Sequence, residues 1–332
     1  MRRLSLPICG VVVALLAGAC FGGPPPPSGP HRDVVVFGDS NAWGIGCSLG
    51  DPGEFAQDPP PFPCTPQSFS VKNETAGACT IAGAMTLLYN HTALNPSCYD
   101  WASKWPGVLD ERTPSLVILN TGGWEIVDRW LNFPSGPGCS TANAFNCPTP
   151  DYQWGGANFT TAANHYTSQL VGAVNLFRSR GAKVLLVNSP YYAPVEPQVP
   201  GIADVWYEAY PAAQPSNWSP ANANITYRSS KVKTEQFNNT LKKALDDNFA
   251  NDSGVRLFNL WEHVSPVDPT TMAPAFNDFS CQAPDEKKWP DTFCPGSAIR
   301  ARSDFDHGHF DYDAYRFVIM PYLLPEIQSM LS

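Results

Sequence analysis

The chain has 332 residues, 43% of them hydrophobic and only 15% charged, with a formal net charge of −9. That length and apolar content fit one large α/β domain or two small ones and exclude a disordered chain. The acidic balance offers no general attraction to nucleic acid or to anionic lipid headgroups, which argues against a nucleic-acid partner.

Arg2 and Arg3, followed by the apolar run from Ile8 to Leu16, read as a signal peptide over residues 1–19. Leu16-Ala17-Gly18-Ala19-Cys20 resembles a bacterial lipobox, with Ala17 where lipoboxes usually carry Leu. The same residues also satisfy the small-x-small rule of an ordinary signal peptidase site. Both routes cut after Ala19 and take the protein out of the cytoplasm. Lipidation falls on Cys20 in the first route, and no other stretch is long and apolar enough to span a bilayer. Membrane attachment is therefore expected only through Cys20. Residues 20–32, rich in Gly and Pro, read as a short tether, and the folded domain is expected over 33–332.

The chain has 10 cysteines. Setting aside Cys9 in the leader and Cys20 leaves Cys47, Cys64, Cys79, Cys98, Cys139, Cys147, Cys281 and Cys294, an even set suited to disulfides. Neighbourhood suggests Cys139–Cys147 and Cys281–Cys294 as local staples, with the first four pairing among themselves. The spacing of close cysteine pairs required by a structural zinc site is lacking.

Asp33 to Phe37 is a β-branched run expected of a strand buried on both faces. Further strands are expected at Ser68–Val71, Ser115–Leu119, Lys183–Val187 and Val255–Leu260. Helical patterns run from Thr161 to Arg180, ended by Gly181, and from Lys231 to Phe249. A last helix is expected from Tyr312 to Met330, kinked at Pro321 and Pro325. This alternation implies a parallel sheet covered on both sides. The connections 47–67, 132–158, 189–230 and 262–303 are long and rich in proline and aromatics, as functional loops often are. Those that follow strands gather at the carboxyl edge of the sheet, where open α/β folds bind ligands.

Val36-Phe37-Gly38-Asp39-Ser40-Asn41 places a serine between a buried strand and the start of a helix. There its hydroxyl is approachable, and the helix N-terminus offers N–H groups and a partial positive charge to an oxyanion. Near the other end stands Asp304-Phe305-Asp306-His307-Gly308-His309-Phe310, a loop leading into the last helix. Serine needs a base to take its proton, and the base needs a carboxylate to orient it. An Asp three residues before a His supplies both. His307 and His309 with Asp304, Asp306 and Asp311 also make a candidate divalent-metal cluster, or simply a solvated acidic loop.

In these two blocks the chain resembles the SGNH/GDSL hydrolase superfamily, which carries Gly-Asp-Ser after the first strand and Asp-x-x-His before the last helix. The resemblance implies a flavodoxin-like three-layer α/β/α sandwich of about five parallel strands. It implies a serine esterase with Ser40, His309 and Asp306 as triad and neither metal nor organic cofactor. Asp304 with His307 has the same spacing, but Asp306 and His309 sit in better register with Tyr315 in the following helix. The family's second block offers a glycine N–H to the oxyanion, a part that falls to Gly77 in Asn73-Glu74-Thr75-Ala76-Gly77-Ala78-Cys79, with Gly83 the weaker candidate. The third block usually reads Gly-x-Asn-Asp; here Asn120-Thr121-Gly122-Gly123-Trp124-Glu125 follows the strand, with Trp124 in place of the Asn donor. Gly122 and Gly123 remain as backbone donors, and Asn120 stands early for the part. Such a block is similar to those of SGNH domains fused to membrane acyltransferases that O-acetylate cell-surface glycans.

Tyr191, Tyr192, Trp206, Tyr207, Tyr210 and Trp218 crowd one loop, either as platforms for sugar rings or as packing for an irregular segment. The expected substrate is a small acyl ester, acetyl first, on carbohydrate. The rivals are an O-acyltransferase acting on cell-surface glycans and a catalytically silent glycan-binding lipoprotein. Triplets such as Asn73-Glu74-Thr75 and Asn224-Ile225-Thr226 match glycosylation sequons and are chance matches in a bacterial lipoprotein.

Overall fold

The computed structural model describes residues 33–53, 64, 66–77, 79–83, 85–87, 93–142, 147–190, 231–264 and 315–332. By internal contacts the chain divides after His31, and all of these residues belong to the second unit.

Strands β1 (Asp33–Gly38), β2 (Ser70–Asn73), β5 (Leu116–Asn120), β7 (Lys183–Val187) and β8 (Val255–Phe258) form one sheet in the order β2-β1-β5-β7-β8. Every adjacent pair is parallel. Counted along the chain, the order is 2-1-3-4-5, the flavodoxin-like doubly wound arrangement. The sequence places all five strands to within about two residues, the margin to which element ends are defined. A second, antiparallel sheet of β3 (Met85–Leu87), β4 (Ala93–Leu94) and β6 (Arg129–Trp130) has strands too short to be read from sequence.

Strand alternation sends one set of side chains to each face of the main sheet. Val35, Phe37, Val117, Leu119, Val184 and Leu186 enter a core shared with α2 (Trp101–Arg112), α4 (Phe159–Ser179) and α5 (Lys231–Phe249). Val34, Val36, Leu116, Ile118, Leu185 and Val187 enter the other. That second core is covered by α1 (Ser40–Ser48), α6 (Leu260–Val264) and the C-terminal α7 (Met320–Leu331). Here α3 is the single turn Gly122–Glu125. The result is three layers, as the resemblance implies.

Helix α4 ends as expected, with Gly181 at φ 80° and its N–H donating to the Arg178 carbonyl. The last helix differs from expectation at its start. Tyr315–Ile319 forms a π-helical turn, and α7 begins only at Met320 with Pro321 in its first turn. A proline is tolerated there because the N–H it lacks has no intrahelical partner in any case. Three cysteine pairs are bridged: Cys47–Cys64, Cys79–Cys98 and Cys139–Cys147. The third is the local staple expected, and the first two lie within the expected set of four. Cys281 and Cys294 lie outside the described residues, as do the leader, Cys20 and the tether.

Candidate active site

Ser40 stands at the carboxyl edge of the sheet, half-buried, as the first residue of α1. Asp39 caps the helix from a fully buried position, its Oδ1 accepting the Asn41 N–H at 2.9 Å. The turn into the helix requires Gly38. Its φ is 143°, and a Cβ there would lie 1.8 Å from the Asn120 carbonyl oxygen.

The two neighbouring strands are tied to this turn. The Asp39 N–H donates to the Asn120 carbonyl at 3.0 Å, and the Ala76 N–H donates to the Gly38 carbonyl at 2.9 Å. Gly77 therefore adjoins a residue bonded to the turn that leads into Ser40. Its N–H donates to nothing among the described residues, while its carbonyl accepts from the Ser97 hydroxyl. Gly83, by contrast, is exposed at φ 64°. Gly122, Gly123 and Trp124 are all buried in α3, and Gly122 packs so closely that a Cβ would meet Ser189 Cβ at 2.6 Å. Asn120 is 2% exposed, and its Nδ2 has no hydrogen-bond partner among the described residues. By alternation it shares the face of Leu116 and Ile118, which α1 covers.

Tyr315 reaches the same helix from the far end of the chain. Its hydroxyl donates to the Asn41 carbonyl at 2.8 Å. Its ring lies so near Gly44 that a Cβ there would come within 2.1 Å of it. Asp306 and His309, the alternative pair Asp304 and His307, Asp311, and the six loop aromatics from Tyr191 to Trp218 lie outside the described residues. Among the described residues, no cluster of three His, Cys, Asp or Glu side chains is placed to hold a metal ion. No helix among them is long and apolar enough to cross a membrane.

Sequence reasoning missed a group of fully buried charges just beyond Trp124. Glu125 Oε1 accepts the backbone N–H of Ile81 and, at 3.3 Å, that of Ala82. The Tyr152 hydroxyl donates to Oε2 at 3.3 Å, and the Trp154 indole donates to the Glu125 carbonyl at 2.7 Å. Burial pushes the Glu125 carboxyl up to about 7, against the opposing pull of Arg129 and of these hydrogen bonds. Arg129 donates to the Trp124 carbonyl. Asp128 pairs with Lys233 of α5 at 2.5 Å, both nearly inaccessible to solvent. Burial pushes the Asp128 carboxyl up and the Lys233 ammonium down, and each partner's charge offsets part of that. The available signal was three charges in the otherwise apolar run from Trp124 to Trp130. Nothing marked Lys233 out.

No known protein family matches the chain, and no curated protein does. Among solved structures it is similar to a candidate acylhydrolase from Bacteroides fragilis at 13% identity and TM-score 0.44, over 93% of this chain and 92% of that one. It is similar to a GDSL-like lipase from Bacteroides thetaiotaomicron at 11% identity and TM-score 0.40, over 90% of this chain and 88% of that one. It is also similar to an acetyl xylan esterase at 14% identity and TM-score 0.42, over 89% of this chain and 98% of that one.

Proposed function

We propose that the protein is an exported serine esterase of the SGNH/GDSL type that hydrolyses small acyl esters, acetyl first, on carbohydrate. Ser40 is the nucleophile, His309 the general base and Asp306 the carboxylate that orients it. The observation that supports this reading is the Tyr315–Asn41 hydrogen bond, which ties Tyr315, six residues after His309 in sequence, to the residue after Ser40. The six residues from His309 to Tyr315 span at most about 20 Å even when fully extended. Covalent geometry thus allows His309 to reach the edge where Ser40 stands.

Ser40 Oγ attacks the ester carbonyl while its proton passes to the His309 imidazole, and the carbonyl electron pair moves onto oxygen. The N–H groups of Ser40 and Gly77 hold that oxyanion. The turn Gly122-Gly123-Trp124 stands in the third position, with the buried Asn120 amide four residues before Trp124 as a candidate side-chain donor. Collapse breaks the bond to the sugar oxygen, which takes its proton from His309 and leaves an acyl-Ser40 ester. Water, deprotonated by His309, attacks in turn, and the carboxylic acid departs as Ser40 recovers its proton. Neither metal nor organic cofactor takes part.

Residues 1–19 serve as the export signal, 20–32 as the tether and 33–332 as the catalytic domain. The protein acts outside the cytoplasm, either anchored through a lipidated Cys20 or secreted, and disulfides suit that oxidising setting. The aromatics between Tyr191 and Trp218 are the candidate sugar platforms.

The test is hydrolysis of p-nitrophenyl acetate by protein purified with its disulfides intact, beside Ser40→Ala and His309→Ala. Turnover in the wild type and its loss in both folded variants is the expected result. Full turnover in Ser40→Ala, or none in a folded wild type, contradicts the proposal. Release of acetate from acetylated oligosaccharide, in preference to long-chain acyl esters, tests the substrate class.

A further inference from the structure

We infer that Glu125 is a positioning residue that clamps the Thr75–Ala82 loop to the α3 turn and so sets the spacing of the oxyanion donors. This inference rests on the reading of Ser40 as nucleophile. The loop is held at one end by the Ala76 N–H on the Gly38 carbonyl, next to Ser40. At its other end the N–H groups of Ile81 and Ala82 both converge on one carboxylate oxygen of Glu125. Gly77 lies between these two tethers. Glu125 itself directly follows Trp124, so one side chain joins the second-block loop to the third.

The surroundings make this contact stiff. The Trp101 indole donates to the Ile81 carbonyl at 3.1 Å, His165 Nε2 lies 2.5 Å from the Ala82 carbonyl, and the Cys79–Cys98 bridge crosses the loop. Each of these ties the loop to α2 or α4, or to the segment before α2. Glu125 ties it to the turn that follows β5. The groups facing Glu125 are Arg129, Tyr152 and Tyr166, with His165 across Ala82 and Asp128, itself paired with Lys233, acting on Arg129.

A carboxylate accepts two N–H bonds on one oxygen more strongly when ionised than when protonated. The ionisation of Glu125, displaced upward to about 7, therefore tightens the clamp as pH rises through neutrality. Glutamine keeps the accepting oxygen and loses the titration, while alanine loses both. Misplacing reacting groups by about 1 Å costs roughly a hundredfold in rate.

The experiment compares the full chain with Glu125→Ala and Glu125→Gln in steady-state kinetics on p-nitrophenyl acetate from pH 5 to 9. Alongside it, amide hydrogen exchange of the peptide spanning Cys79–Gly83 is followed across the same pH range. The expected result for Glu125→Ala is a kcat lowered about 10- to 100-fold with KM within about threefold. Glu125→Gln, neutral like the protonated carboxyl, holds kcat about threefold below the wild type's value above pH 7, and its acid limb lacks the partial step of that size shown by the wild type. Exchange in that peptide slows as pH rises through 7 in the wild type, after correction for the intrinsic rate, and does not in Glu125→Gln.

A folded Glu125→Ala with kcat within about twofold of wild type overturns the inference. So do an acid limb unchanged in Glu125→Gln and exchange that is equal in all three proteins. If Glu125→Ala does not fold, the Gln variant decides by its pH profile and exchange. Absence of Ser40-dependent turnover with the exchange difference intact refutes the esterase reading and leaves the clamp standing. Turnover with no exchange difference does the reverse.

Discussion

Replacing Glu125 by glutamine removes a buried charge whose energetic consequence can be worked out from its surroundings. The carboxyl is fully buried and titrates at about 7 in the folded chain, against 4.5 when free. Below about pH 4.5 it is protonated in both folded and unfolded chains and is neutral in the interior. Between 4.5 and 7 the folded state retains a proton that the unfolded state has released. Above 7 both are ionised, and the folded chain carries the full desolvation of the charge. The stability attached to this raised group is therefore present below 4.5 and lost as pH rises through 7. The displacement from 4.5 to about 7 corresponds to about 3 kcal/mol. Glutamine does not titrate, and every other carboxylate cancels when the two proteins are compared. Urea unfolding of wild type and Glu125→Gln at pH 5, 6, 7 and 8 should thus show the difference moving in favour of glutamine by about 2.5 kcal/mol, most of it between pH 5 and 7 and little above. A difference that stays within about 0.5 kcal/mol across the range refutes the reasoning, because Glu125 then carries no displaced titration.

Other consequences follow from the same packing. Lys233→Met strands Asp128 in the interior and should lower stability by about 3–5 kcal/mol, whereas Lys233→Met with Asp128→Leu should recover most of it. A denaturant double-mutant cycle reads both. Tyr315→Phe removes the bond to the Asn41 carbonyl and should lower stability by about 1 kcal/mol. On the proposed triad its kcat should fall more than its KM changes, since the bond ties Tyr315 to the helix that carries Ser40; equal kcat in the variant argues against that coupling. Replacing Cys79 and Cys98 together by alanine opens a loop of sequence separation 19 and should lower stability by about 3 kcal/mol, measured by unfolding with and without reductant.

The five-stranded sheet was legible because its strands β1, β5 and β7, buried on both faces, read as continuous apolar runs. Helix α2 was not, because Pro106 and Gly107 interrupt its pattern. It forms regardless, since Trp101, Trp105 and Leu109 fall on one face and Trp105 stacks on Phe37 and Phe177. Tertiary packing there outweighs local propensity. The position of Ser40 at the sheet's carboxyl edge could be read from the strand before it, and that of Gly77 from the second strand. Glu125 could not, because a charge in sequence looks like surface until the amides of Ile81 and Ala82, more than forty residues away, are seen to meet it.

The central claim is that Ser40 is an activated nucleophile, and covalent labelling tests it most directly. Treatment with a fluorophosphonate, followed by proteolysis and mass spectrometry, should place one phosphonyl adduct on Ser40. That adduct should be lost in His309→Ala and when the protein is unfolded beforehand. Absence of an adduct in the folded wild type, or an adduct placed on another serine, would contradict the account.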